Sequence, residues 1–277
     1  MNEGNSLRYS VLMSVYYKEN PEYLKQAIES IQMQTSQTND FVLVCDGPLT
    51  KELDDVIDEK QAQMGAILRV VRLPQNSGLG CALNEGLKYC RNELVARMDS
   101  DDIAYTDRCE KQLTIFRTRP EVSICSGIVE EFTTSPDIVD ARRVPPETQK
   151  EIIEFAKRRN PFNHPCVMYK KSAVEAVGSY QDFYLLEDYY LWLRMLMAGY
   201  QGYNIQTALL HMRAGSDMYK RRAGAKYAMA QAKLFKYMKD KGFVSTRECL
   251  NSCLIRCGSS LAPNCLRRFM FEKLLRN

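Results

Sequence analysis

Through the first hundred residues, apolar runs of strand length alternate with stretches whose apolar positions recur at helical spacing. "YSVLMSVYY" (9–17) is a nearly unbroken apolar run and predicts a buried strand. "PEYLKQAIESIQMQT" (21–35) places Leu24, Ala27, Ile28 and Ile31 on one face, behind a proline suited to a first helical turn. "DFVLVCDG" (40–47) predicts a second strand ending at Asp-Gly. "TKELDDVIDEKQAQMG" (50–65) predicts a helix capped by Thr50 and closed by Gly65. A strand at 67–73, a helix at 80–90 and a strand at 93–99 continue the alternation. Such a βαβαβαβ run predicts an α/β fold, a mostly parallel sheet with helices on both faces.

Beyond Asp102 the periodicity loosens. Helices are expected at 106–120, 149–160, 171–178 and 187–200, with extended chain at 121–132 and 165–171. Residues 135–146 read as a loop. From Tyr219 onward the chain reads as basic and helical, with a break at "CGSSLAPN" (257–264). The organisation expected is a catalytic domain over 1–215 and a basic helical extension over 216–277.

Composition narrows the class. With 277 residues, 45% hydrophobic and 26% charged, the chain has the make-up of a globular protein with a substantial core. It has no run of eighteen apolar residues and no secretory leader pattern in "MNEGNSLRYS", so a cytoplasmic location is expected. Most of the ten cysteines lie singly in apolar segments, as reduced core cysteines do. Cys249, Cys253 and Cys257 share one helix face, and their spacing is not that of a zinc site. The net charge of +4 hides an asymmetry: residues 213–277 carry 15 Lys and Arg against 4 acidic residues, net +11, and the remainder is net −7. A basic end of this kind fits an anionic partner or a solvated helical face.

The chemistry-bearing residues fall at the predicted carboxyl ends of the strands, where open α/β sheets bind ligands. Strand one ends in Ser14, Tyr16 and Tyr17, strand two at Asp46, strand three before "PQNSGLG", and strand four in "MDSDDI". "NSGLG" alone is either a phosphate-approaching loop or a plain strand–helix turn. The triplet Asp99, Asp101 and Asp102 is more telling. Two such charges about 4 Å apart repel by about 4 kcal/mol at an effective dielectric near 20. An EF-hand is excluded, because Ile103 and Ala104 stand where an oxygen ligand and a glycine are needed. Asp102 or Thr106 could cap the following helix, but one cap does not need three carboxylates. A Mg²⁺ or Mn²⁺ site shared with a substrate's phosphates accounts for them.

With these motifs in this order, residues 9–215 resemble an inverting family-two glycosyltransferase of the GT-A fold, the bacterial type that builds surface polysaccharides. The resemblance implies that Asp46 recognises uracil, although Cys45 stands where the family usually has Asp. "NSGLGCALNEG" is similar to the family's Asn-x-Gly…Ala-x-Asn-x-Gly helix, which brings in Asn76, Gly78, Asn84 and Gly86. "DSD" matches the DxD motif, with Asp99 near the ribose and Asp101 on the metal and diphosphate; Asp102 and His211 are further metal candidates. Ser14, Tyr16, Glu19 and Ser100 complete the donor-binding set. "LLEDYYLWLR" is similar to the late acidic motif, making Asp188 the general base and Glu187 its neighbour; a helix N-terminus would also favour that pair. His164, Trp192 and Arg213 are candidates for acceptor or diphosphate contact, although the apolar run around Trp192 reads by itself as core.

The implied reaction moves a sugar, expected to be UDP-linked, to a saccharide or polyprenyl-linked saccharide, with Mg²⁺ or Mn²⁺ and no nucleic acid. "NCLRRFMFEKLLRN" (264–277) has the composition of an interfacial helix, so peripheral contact with the inner face of an anionic membrane is expected, against packing on the domain. A sugar-phosphate nucleotidyltransferase would need a glycine-rich basic loop after strand one, which "SVYYKENPE" lacks. An inactive saccharide-binding homologue is disfavoured by the intact acidic set.

Overall fold

The computed structural model describes residues 7–214 and 224–261. Its elements run β1 (Tyr9–Val15), α1 (Pro21–Gln32), β2 (Phe41–Cys45), α2 (Lys51–Met64), β3 (Leu68–Arg72), α3 (Leu79–Tyr89), β4 (Leu94–Asp99) and β5 (Ile103–Ala104). They continue with α4 (Arg108–Thr118), β6 (Val122–Phe132), β7 (Ala141–Arg143), α5 (Gln149–Ala156), β8 (Met168–Lys170) and α6 (Lys171–Ala176). The last are α7 (Glu187–Met197), β9 (Gln201–Arg213), α8 (Ala225–Asp240) and α9 (Thr246–Leu261).

Among the described residues the strands form one sheet in the order β3-β2-β1-β4-β8-β6-β9-β5, with β7 added to β6. β3, β2, β1 and β4 are mutually parallel. β8 runs antiparallel to both β4 and β6, while β6 and β9 are parallel. Alternation along the strands builds two cores. Leu12, Val42, Val44 and Val95 face one side with α3, α5, α6, α7 and α8. Tyr9, Val11, Met13, Val15, Phe41, Leu43 and Cys45 face the other, against α1, α2 and α4. Caps fix the helix starts, with Asn20, Thr50 and Thr148 each accepting a backbone N–H in the first turn.

The expected elements to β4 are all present, trimmed by one to three residues at some ends. The second half differs in three places. β7 lies inside the expected loop at 135–146. The thirteen-residue β9 had no counterpart in the periodicity; polar Asn204, Gln206 and Thr207 interrupt it, and its pairing with β6 shifts register, so period-two alternation is lost. α9 continues through Cys257 to Leu261, past the start of the expected break. α9 lies antiparallel on α8, with Cys249 Sγ against the Phe235 carbonyl and Cys257 Sγ against that of Ala228, which explains the cysteine stripe as a packing seam. Lys220, Arg221, Arg222 and the helix expected at 264–277 lie outside the described residues.

Candidate active site

Parallel pairing brings the carboxyl ends of β1, β2, β3 and β4 to one edge, with Ser14 opposite both Val44 and Asp99. Tyr16 and Tyr17 project just past β1, half-exposed, their rings edge to face. Glu19 follows and accepts a hydrogen bond from Ser100 Oγ at 2.6 Å. That bond joins the end of β1 to the acidic triplet.

Asp46 is buried and organises the neighbouring loop. Its two oxygens accept from the N–H groups of Ser77 (2.7 Å) and Gly78 (3.0 Å), and Asn76 Nδ2 donates to its carbonyl. Gly47 permits the approach: at φ +88°, a Cβ there would fall 2.5 Å from Asn76 N. Asp46 is thus committed to shaping the loop that opens α3. Asn84 is committed as well. Its side chain donates to the Tyr180 carbonyl (2.7 Å) and accepts from the Tyr180 N–H (2.9 Å), tying α3 to the chain before α7.

Asp99, Asp101 and Asp102 bring carboxylate oxygens within 4.8 Å of one another. Each is held differently. Asp99 receives both terminal nitrogens of Arg97. Asp102, buried, accepts the Arg213 N–H on Oδ1 at 2.9 Å, and its Oδ2 is buried without a hydrogen-bond partner. Asp101 has its carboxyl pushed up to about 7 by burial and then by the charges of Asp99 and Glu19. Three acids share one guanidinium, and a buried oxygen is left unpaired. The donor set of hard carboxylate oxygens therefore fits a divalent cation.

Arg97 is the residue that sequence reasoning missed. It is 1% exposed and sits on the core side of β4, two residues before Asp99, so both project from the same face. A charged residue in the apolar run "LVARMD" was the available signal. Its charge favours ionisation of both Asp101 and Glu187, so it acts on both acidic groups. Behind it, Arg108 is wholly buried and donates to the Arg97 carbonyl at 2.6 Å, steadying the end of β4.

The second acidic group opens α7. Asp188 Oδ2 accepts from Asn160 Nδ2 at 2.7 Å. Glu187 lies against the first turn of α3, close to Gly80, and its carboxyl is pushed up to about 7 by burial and by Asp188. Two carboxylates at one helix start, one raised toward neutrality, can receive a proton from a hydroxyl.

Four expected contacts are placed elsewhere. Trp192 is 0% exposed and packs among Phe162, His164, Tyr169 and Tyr180, so it is core and no sugar reaches it. His164 is buried with Nε2 2.9 Å from Tyr180 Oη, and burial together with Arg97 holds it well below its usual pKa, hence neutral. The His211 ring stacks on Tyr105 at 4.3 Å beside Glu130, and it is not one of the residues grouped with the three aspartates. Arg213 stands between the Tyr23 and Phe132 rings and bonds Gln26, so its side chain secures the end of β9.

Comparison with known proteins matches residues 10–178 to the model of glycosyl transferase family 2. The chain belongs to that family. This glycosyltransferase is 41% identical over 270 residues to an uncharacterized glycosyltransferase of Haemophilus influenzae, covering 98% of this chain and 100% of that one. It is 37% identical over 270 residues to an Escherichia coli UDP-Gal:α-D-GlcNAc-diphosphoundecaprenol β-1,3-galactosyltransferase, covering 97% of each. It is 38% identical over 268 residues to the amylovoran biosynthesis glycosyltransferase AmsE of Erwinia amylovora, covering 96% of this chain and 98% of that one. Among solved structures, S. aureus TarS 1–349 in complex with UDP-GlcNAc aligns with a TM-score of 0.66 at 18% identity, over 97% of this chain and 76% of that one. A Pyrobaculum calidifontis mannosyltransferase in complex with GDP-Man and Mn²⁺ aligns with a TM-score of 0.65 at 13% identity, over 98% and 81%. At these identities the likeness is one of fold, and the fold of this glycosyltransferase is GT-A.

Proposed function

We propose that this glycosyltransferase moves a sugar from a UDP-linked donor, with inversion, to a hydroxyl of a saccharide carried on a polyprenyl diphosphate, in surface polysaccharide synthesis. The observation that carries the reading is the pair of acidic groups on either side of Arg97, one suited to a metal–diphosphate and the other to proton removal. The Escherichia coli relative, whose own activity is of this type over nearly the full chain, supports the donor and acceptor classes.

Asp101 and the free oxygen of Asp102 would hold the ion, Mg²⁺ or Mn²⁺, with Asp99 fixed by Arg97 on the nucleotide side. Such an ion, when bound, neutralises the charge gathering on the leaving diphosphate. Asp188 takes the proton of the acceptor hydroxyl as its oxygen bonds to the anomeric carbon and the bond from that carbon to the diphosphate breaks. Asn160 orients the Asp188 carboxylate. Tyr16, Tyr17 and the Asp46–Gly78 clasp form the donor rim. No helix among the described residues is long and apolar enough to cross a membrane. Exposed Leu250, Leu254 and Ile255 on α9 support peripheral work at the inner membrane face, where such an acceptor resides.

A donor screen for sugar hydrolysis and transfer, with Mn²⁺ or with chelator, tests the reading. Turnover of a UDP-sugar that needs the ion and falls at least about 100-fold in Asp188→Asn is expected. Turnover unchanged by chelator and by the substitution overturns it.

A further inference from the structure

Facing the chain that leads into α7, α8 borders an open cleft of about 320 Å³ lined by Asp182, Phe183, Tyr184, Lys226, Met229 and Lys233 among others. The α8 members lie at positions i, i+3 and i+7, on one helix face. Both ammonium groups stand over rings of the opposite wall: Lys226 Nζ is 4.0 Å from the Tyr184 centroid and Lys233 Nζ is 5.2 Å from that of Phe183. Neither lysine makes an ion pair among the described residues. Between them Met229 is 65% exposed, an unbranched apolar side chain open to solvent. The α8 wall is therefore cationic at both ends and apolar between them, with the Asp182 carboxylate on the facing wall.

Its far wall leads along the chain into the acidic pair at the start of α7. Tyr184 is three residues before Glu187, and chain geometry keeps their Cα atoms within about 11 Å. Leu185, at φ +57°, reverses the chain so that Tyr184 faces outward while Leu186 enters the core. Asp182, on the cleft wall, is close enough to raise the Glu187 carboxyl electrostatically. The cleft thus lies one short chain segment from the acidic pair.

We propose that this cleft binds the diphosphate and first isoprene units of the lipid-linked acceptor, a refinement that rests on the glycosyl-transfer reading above. Lys226 and Lys233 hold the phosphate oxygens through charge-assisted hydrogen bonds. Met229 and the edge of Tyr184 cover the start of the prenyl chain. A free inorganic anion would satisfy the lysines and leave that apolar surface bare, so the two-part lining favours an amphipathic anion.

Farnesyl diphosphate is a suitable probe, titrated calorimetrically into the full chain with the donor site saturated by UDP and Mg²⁺. The Lys226→Ala/Lys233→Ala variant is expected to bind it at least about tenfold more weakly. Lys226→Arg/Lys233→Arg should keep most of the affinity, and UDP affinity should be unchanged in both. Met229→Gln should weaken farnesyl diphosphate while leaving inorganic diphosphate unaffected. Equal farnesyl diphosphate binding by the wild-type and double-alanine proteins overturns the proposal, as does inorganic diphosphate binding as tightly as the prenyl compound. UDP-sugar hydrolysis by the wild type is read separately: failure there sinks the glycosyl-transfer reading, whereas turnover with lysine-independent prenyl binding sinks the cleft alone.

Discussion

Arg97 sets the electrostatics of both halves of the site with one buried charge. Removing it leaves Asp99 without its two charge-assisted bonds and the buried Asp102 without its nearest counter-charge. Arg97→Gln should therefore cost about 3 kcal/mol in a urea unfolding titration, and Arg97→Lys should restore only part, because an ammonium cannot make the bidentate contact. The aspartates can be separated by ion binding. Mn²⁺ at about 100 times its dissociation constant should stabilise the wild type by about 2.7 kcal/mol, and Asp101→Asn should lose that gain in a thermal shift assay. Glu187 shapes the pH response together with Asp101, which is pushed up to the same range. With the Glu187 carboxyl pushed up to about 7 by burial and Asp188, the ionised pair forms only as pH rises, so kcat/KM should climb toward neutrality and level above it. Glu187→Gln removes the mutual repulsion and should move that limb to lower pH. At this scale the acidic triplet and the Glu-Asp pair were legible as clusters of like charge. The burial of Trp192 and His164 was only partly so, because a sequence shows which side chains are able to bind a sugar and not which ones are covered.

α3 shows how an element carries function through packing. Gly86 lets it lie on the sheet: a Cβ there would come 2.5 Å from both Leu12 and Val44, so Gly86→Leu should destabilise by about 2 kcal/mol or more in the same titration. Two residues earlier, Asn84 looks like a donor ligand in the sequence pattern, and its side chain holds the backbone of Tyr180. The first four strands and three helices were readable because β1, β2 and β4 are buried on both faces as unbroken apolar runs and the helices between keep an apolar stripe. β9 was not, because its bulged pairing with β6 breaks alternation and its polar residues bond to a loop; Asn204 Nδ2, for one, donates to the Pro146 and Pro161 carbonyls.

For the whole molecule, the helices after residue 224 share a core with the catalytic elements. Tyr227, Leu234, Phe235 and Met238 join the same buried cluster as Trp192 and Leu191. A chain ending at residue 215 exposes that surface, and should be recovered as an aggregating or molten species by near-ultraviolet circular dichroism and light scattering. The basic balance of this end was visible in the charge count; its role as a structural lid over α7 was not, since amphipathicity alone does not say which surface a helix covers.

The two hydrogen bonds between Asn84 and Tyr180 have a kinetic corollary. They fasten the helix beside the nucleotide loop to the strap that leads into the proton-accepting pair, so those two parts form one solid jig before any ligand arrives. An enzyme arranged this way has no need of its first substrate to assemble the berth for its second. Either substrate can then enter first, and initial-rate patterns should show random rather than compulsory order.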